Sequence, residues 1–212
     1  MNSSMARNAL LTTQLRTDLD VIQAWIASGS RVLDLGCGDG TLLQSLRDNK
    51  QVNGYGLEID ASQITACISK GLNVIDQNLD QGLANFSDHS FDTVVMTQAL
   101  QTMHAPDQVL QEMLRVGEEC IVTFPNFGHW KARWHLAVNG RMPVSDLLPY
   151  QWYDTPNIHF CTFNDFEVLC RELNIHIIRR QVVAETAVGR LLKDVRPNLF
   201  GDTAIYHLRK GS

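Results

Sequence analysis

The sequence is poor in the features that hold small secreted domains together. Its five cysteines, Cys37, Cys67, Cys120, Cys161 and Cys170, are odd in number and widely spread. They form no C-x-x-C pair, which argues against a disulfide framework and a zinc site. A reduced, cytoplasmic protein is the expectation. No apolar run approaches the roughly 20 residues that span a bilayer. The opening MNSSMARNALLTTQ has one Arg and no long apolar core, so it does not read as a signal peptide and is expected to fray. Positive charge is not in excess either: 18 Lys and Arg against 23 Asp and Glu give a net charge of -5. That balance excludes a general attraction to nucleic acid or to an anionic membrane. Arg179, Arg180, Arg190, Lys193 and Arg196 crowd the C-terminal region and read as a solvated basic face.

What is present is ordinary globular composition, with 44% hydrophobic residues over 212 positions. That is enough for one compact domain covering residues 1–212. Leu15, Leu19, Ile22 and Ile26 recur at helical spacing, with Trp25 on the same side, and predict a helix over about 13–28. RVLDLG reads as a strand that ends in a glycine turn. Thr41 to Lys50 reads as a helix, NGYGLEID as a strand, Ala61 to Lys70 as a helix and NVIDQ as a strand. Phe91 to Thr97 is continuously apolar, as in a strand covered on both faces. A helix from Pro106 to Arg115 and a strand from Glu119 to Phe124 follow. Further on, a helix is expected over about 163–173, then the strands HIIRRQVV and TAIYHLR. Strands alternating with helices mean βαβ units, hence an α/β, doubly wound, Rossmann-like fold with a mostly parallel sheet.

The texture changes after Phe124. Residues 124–166 hold ten of the sixteen aromatics and four of the six prolines. Residues 124–160 are therefore read as an aromatic-rich lid or insertion. The lid's Trp130, Trp134, Trp152 and Tyr153 suit an acceptor pocket and, with Arg133 and Arg141, suit a protein interface equally.

The chemistry concentrates in VLDLGCGDG. Its glycines let the backbone turn sharply and approach a ligand closely. The helix that follows points its N-terminus at the same place, with N–H groups expected to be free. Glu58 ends the second strand, 20 residues after Gly38, where an acid accepts hydrogen bonds from a ribose diol. Ile59 belongs to the same set. A dinucleotide site asks for G-x-G-x-x-G, whose third position here is Thr41. Asp34 would also set a carboxylate near two phosphates, and this weakens an oxidoreductase reading. An acid before Gly36 and Gly38 suits a ligand with an ammonium and no phosphate, so S-adenosyl-L-methionine, or its product S-adenosyl-L-homocysteine, is the expected cofactor. Asn78 and Leu79 follow the third strand, where a side-chain amide and a backbone N–H read an adenine edge; Asn78 serves equally as a turn residue bonded to its own backbone. Thr97 and Gln98 stand at the carboxyl edge of the sheet, as site residues or as helix caps. His129, His135, His159, Tyr150 and Tyr153 are candidate bases, each with a packing role as its plainer reading, so no catalytic residue is assigned. No metal is expected, since these histidines lack carboxylates at ligand spacing.

The segments SGSRVLDLGCGDG, GYGLEID, NVIDQNLDQGL, FPNFGHWKARWHLAVNGRMPVS and LPYQWYDTPNIHFCTFNDFEVLC together resemble the methionine biosynthesis protein MetW family. The resemblance covers about residues 16–183 and is most specific between Phe124 and Cys170. It implies the class I methyltransferase fold, with a seven-stranded sheet whose last strand is antiparallel. It also implies a place in methionine synthesis, by methyl transfer to a small-molecule acceptor or by partnership with homoserine O-acyltransferase. Where methyltransferases often place an acid before the adenine-facing residue, this chain has Asn78.

Overall fold

The computed structural model describes residues 18–145, 148–184 and 186–211. The first helix, α1, occupies 18–25, and the part expected over 13–17 lies outside the described residues. The chain then runs through β1 (Arg31–Leu35), α2 (Thr41–Lys50), β2 (Asn53–Glu58), α3 (Ala61–Ser69), β3 (Asn73–Asp76), β4 (Phe91–Thr97), α4 (Pro106–Val116) and β5 (Gly117–Pro125). After these come α5 (Trp130–Asn139), α6 (Phe163–Glu172), β6 (Ile175–Val183), α7 (Ala187–Leu192), α8 (Pro197–Phe200) and β7 (Thr203–Lys210). Among the described residues no helix is long and apolar enough to cross a membrane.

Seven strands form one sheet in the order β3-β2-β1-β4-β5-β7-β6. The pairs β3–β2–β1–β4–β5 are parallel, and β7 runs antiparallel to both β5 and β6. Alternation along β1 explains why both faces are covered. Leu33 and Leu35 face a core that includes Leu110 and Met113 of α4 and Phe163 and Phe166 of α6. Val32 faces the other core, with Ile22 and Ile26 from the first helical segment and Leu42 and Leu46 of α2. The chain leaves β1 toward β2 and β3, then returns to β4 and β5 on the opposite side. The carboxyl end of β1 is therefore the switch point where doubly wound sheets open a ligand crevice.

Local signals set the helix ends. The Asp60 side chain caps α3 by accepting from Ser62 and Gln63 N–H groups, and Thr162 and Asp165 form a capping box on α6. Two helices, α7 and α8, lie between the last two strands, where the sequence offered no period. At six and four residues they are too short to show one. Part of the expected lid is α5, and residues 142–144 and 157–162 beyond it have no regular structure.

Candidate cofactor site at the carboxyl edge of the sheet

The glycine turn stands at the switch point with Gly36, Gly38 and Gly40 all in the left-handed region, at φ +72, +55 and +75. A Cβ on Gly38 would meet nothing within 4 Å, so its Cα faces open space. Gly36 lies under Ala99 and Leu79, whose atoms would be 3.5 and 3.9 Å from a Cβ there. Most amides of the turn are satisfied, and of the helix N–H groups expected to be free that of Thr41 is taken. Gly36 and Cys37 both donate to the Leu57 carbonyl, Gly40 donates to Cys37, and the Thr41 N–H is taken by Asp39. Lys70 clamps the turn from outside by donating to the Asp39 carbonyl and carboxylate. A turn with its amides so occupied is a poor cradle for a pyrophosphate, which needs several free donors at once.

Asp34, two residues before Gly36, is 1% exposed, and its Oδ1 is buried without a hydrogen-bond partner. Burial pushes its carboxyl up to about 7, and repulsion from Glu58 adds to this. A buried carboxylate with neither cation nor donor is costly, so the position suits a ligand that brings a positive charge.

Glu58 has more to do than the sequence suggests. Its Oε2 accepts from the Gly38 N–H at 2.9 Å, and its Oε1 accepts from Ile59 at 2.8 Å and Asp60 at 3.0 Å. Three of roughly four lone-pair directions are thus used. A ribose diol can be accepted at both oxygens only if a backbone bond opens. Glu58→Ala is therefore expected to loosen the turn as well as weaken adenosyl ligands. Affinity should fall at least about tenfold, at about 1.5–3 kcal/mol per charge-assisted bond. The apo melting temperature should also drop; an unchanged melting temperature in a thermal scan would contradict the bracing role.

Ile59, 62% exposed, and Asn78 line a cleft of about 700 Å³ with Asp76, Gln77 and Gln81. That is the size of a small-molecule pocket. Asn78 caps the short 3₁₀ turn Leu79–Gln81, its side chain accepting from the Asp80 N–H at 3.0 Å, so the turn role is filled. Asp80 in turn binds the His104 N–H and ring, a clasp between the segments after β3 and β4 with no signal in the sequence. Thr97 ends β4. Neither it nor Gln98 caps a helix, since Ala99 holds that position before the turn Leu100–Thr102. Gln98 is instead left-handed, at φ 53, and its N–H donates to the Thr123 carbonyl and hydroxyl.

The segment beyond is anchored at the same edge. Ile158 and His159 N–H groups donate to the carbonyl of buried Gln101, a residue not singled out from the sequence. His159 thus holds the segment shut through its own backbone. His129 is buried, held low by desolvation, and caps α5 by accepting from the Lys131 N–H. The ring of His135 lies against Asn139 on the same helix. The cavity that Trp152 lines with Phe127, Met142, Tyr150 and Phe160 is only about 30 Å³. It holds about one water and is an order of magnitude too small for an acceptor molecule. Among the described residues no group of three or more His, Cys, Asp or Glu is placed to hold a metal.

The sheet order, the antiparallel strand β7 and the glycine turn beside β1 define a Rossmann-like class I methyltransferase fold. Within that class the chain belongs to the methionine biosynthesis protein MetW family, whose sequence profile matches residues 16–208. It is 37% identical over 201 residues to the bifunctional methionine biosynthesis protein MetXA/MetW of Rhodopirellula baltica, covering 90% of this chain and 32% of that protein. A ubiquinone biosynthesis O-methyltransferase of Citrobacter koseri is 25% identical over 59% of this chain and 54% of its own length. The chain therefore spans about a third and about half of these two relatives. Among solved structures, the putative methyltransferase in complex with the Trm112 activator of Haloferax volcanii superposes with a TM-score of 0.68, at 17% identity over 98% of this chain and 95% of the other. The magnesium protoporphyrin IX methyltransferase of Synechocystis PCC 6803, determined with bound SAH, gives 0.67 at 17% identity, over 100% and 89%.

Proposed function

We propose that this MetW-family chain binds S-adenosylmethionine or S-adenosylhomocysteine at the carboxyl edge of β1. The observation that carries the reading is Asp34, a buried carboxylate with an orphaned oxygen beside a glycine turn. The cofactor's amino-acid end brings the ammonium that this oxygen lacks. Gly36 and Gly38 leave room for close approach, Glu58 accepts from the ribose, and Ile59 covers the adenine. Asn78, the Leu79 N–H and Thr97 border the same ligand. When bound, the cofactor supplies a methyl group on a cationic sulfur. Transfer to a small acceptor then requires mainly that this edge hold the two together and exclude water. Solved methyltransferases of the same fold, one determined with SAH, support the cofactor choice.

A second reading is favoured by a specific observation: the aromatic segment leaves its side chains exposed around a cavity of about 30 Å³. In this reading the chain is a cofactor-responsive partner of homoserine O-acyltransferase in methionine synthesis. The relative that joins MetXA and MetW in one polypeptide supports it. Calorimetric titration with S-adenosylmethionine, S-adenosylhomocysteine and NAD tests the cofactor. Binding of the adenosyl ligands without NAD is expected, and NAD binding alone would overturn the proposal. A methyl-release assay on the isolated chain and on the chain with acyltransferase separates the two readings.

A further inference from the structure

Helix α5 has no buried residue. Trp134 is 66% exposed, and Leu136, Val138 and Trp130 are also open to solvent. A ten-residue helix is marginal in water unless a face packs against something. Among the described residues its N-terminal half is tied down, by the His129 cap and by Arg133, which donates to the Gly128 and Asn198 carbonyls. Trp152 and Tyr153, 72% and 71% exposed, extend the apolar surface beyond the helix.

Two features say what covers it. First, Trp134 and Leu136 are two residues apart and so project from nearly opposite sides of the axis. A flat surface covers only one of them, and a helix that lies in a bilayer interface needs its apolar residues on one side. A cleft that encloses the helix covers both. Second, residues 126–145 carry Lys131, Arg133 and Arg141 and no Asp or Glu, in a chain of net charge -5. A two-fold contact between copies would face these cations with themselves. A protein cleft rimmed with carboxylates complements them.

We infer that α5 inserts into an apolar, acid-rimmed cleft of a protein partner, with Trp134 and Leu136 as its anchors. The inference rests on the partnership reading above and names the surface and the partner's chemistry. The probe is purified homoserine O-acyltransferase from the same organism, titrated with the full chain by calorimetry. Wild type is expected to bind, and more weakly as salt rises. Trp134→Ala with Leu136→Ser should weaken binding at least about a hundredfold, and Lys131→Glu about tenfold. Both anchors are exposed, so the fold should survive, as a thermal scan will show. Ile68→Ala on α3, 63% exposed and packed with its helix at the β3 edge of the sheet, should bind like wild type. Wild-type binding that the double substitution leaves intact overturns the α5 inference alone. Failure of wild type to bind overturns the partnership reading and this inference with it. A concentration-dependent dimer that the same substitutions dissolve, or their loss of binding to anionic vesicles, would make the occupant a second copy or a lipid surface and overturn the inference.

Discussion

Replacing Asp34 with Asn is expected to raise the melting temperature of the ligand-free protein at pH 8 and to abolish adenosyl-ligand binding in the same step. Both effects follow from a carboxylate that is buried without a partner and pushed up to about 7. An ordinary Asp in the unfolded chain titrates near 3.9. Between about pH 4 and 7 the unfolded chain has released this proton while the folded chain keeps it. Apo stability from this group is therefore full below pH 4, falls across the window and is lost above 7. The difference of about three pH units corresponds to at most about 4 kcal/mol. Asn carries no such slope, although its amide also wants a partner, which returns about 1–3 kcal/mol. The ligand reverses the balance. An ammonium against an ionised Asp34 makes a buried pair, and removing one partner of such a pair costs about 3–5 kcal/mol, or roughly a hundredfold to a few thousandfold in affinity. Wild-type affinity should fall about tenfold per unit as pH drops below 7, because the proton must leave before the pair forms. Melting curves of both proteins from pH 4 to 8, with and without S-adenosylmethionine, check every part. An Asp34→Asn variant that binds within about threefold of wild type would place the ammonium elsewhere.

The part of this arrangement that was legible in the sequence is the part that repeats along the chain. β4 and β5 carry buried apolar runs, Val94–Met96 and Cys120–Val122, because both their faces are covered there, and their ends fell within two residues of the observed ones. Asp34, Gly36, Gly38 and Glu58 were legible because an acid, a glycine turn and a second acid stand at spacings set by one βαβ unit. The structure brings these four together at one edge. What was illegible depends on contacts between distant segments. The Lys70 clamp on Asp39 spans 31 residues, and the Gln101 carbonyl holds a segment more than 50 residues away. Glu58 was read as a ligand residue alone because nothing local shows that three backbone N–H groups already point at it. The aromatic texture of the segment that holds α5 was legible in its composition. That none of the helix's residues would be buried was not, since apolar residues usually signal a core.

Gly56 shows how such a hidden contact sets the shape of the site. On sequence it is one of two glycines in the second strand, where glycine is normally unfavourable. In the structure a Cβ on Gly56 would overlap the Cys37 sulfur and stand 3.0 Å from the Cys37 Cβ and 3.1 Å from Leu43. Cys37 lies between Gly36 and Gly38, so any bulk on β2 pushes the turn toward the ligand. Cys37 has little room to retreat, because its sulfur is 3.9 Å from that of Cys67, which in turn contacts the Gly38 carbonyl. Gly56→Ala is therefore expected to cost about 1–3 kcal/mol by overpacking, and so to lower the melting temperature by about 2–12 °C for a chain of this size. Adenosyl-ligand binding should weaken more than stability alone requires if the displaced turn borders the ligand as proposed. The double substitution Gly56→Ala with Cys37→Ala removes the overlapping sulfur and should recover most of both losses. Thermal scans and calorimetric titration of the two single variants and the double variant form a closed cycle. Additive losses in that cycle would show that Gly56 acts through something other than the thiol beneath the turn.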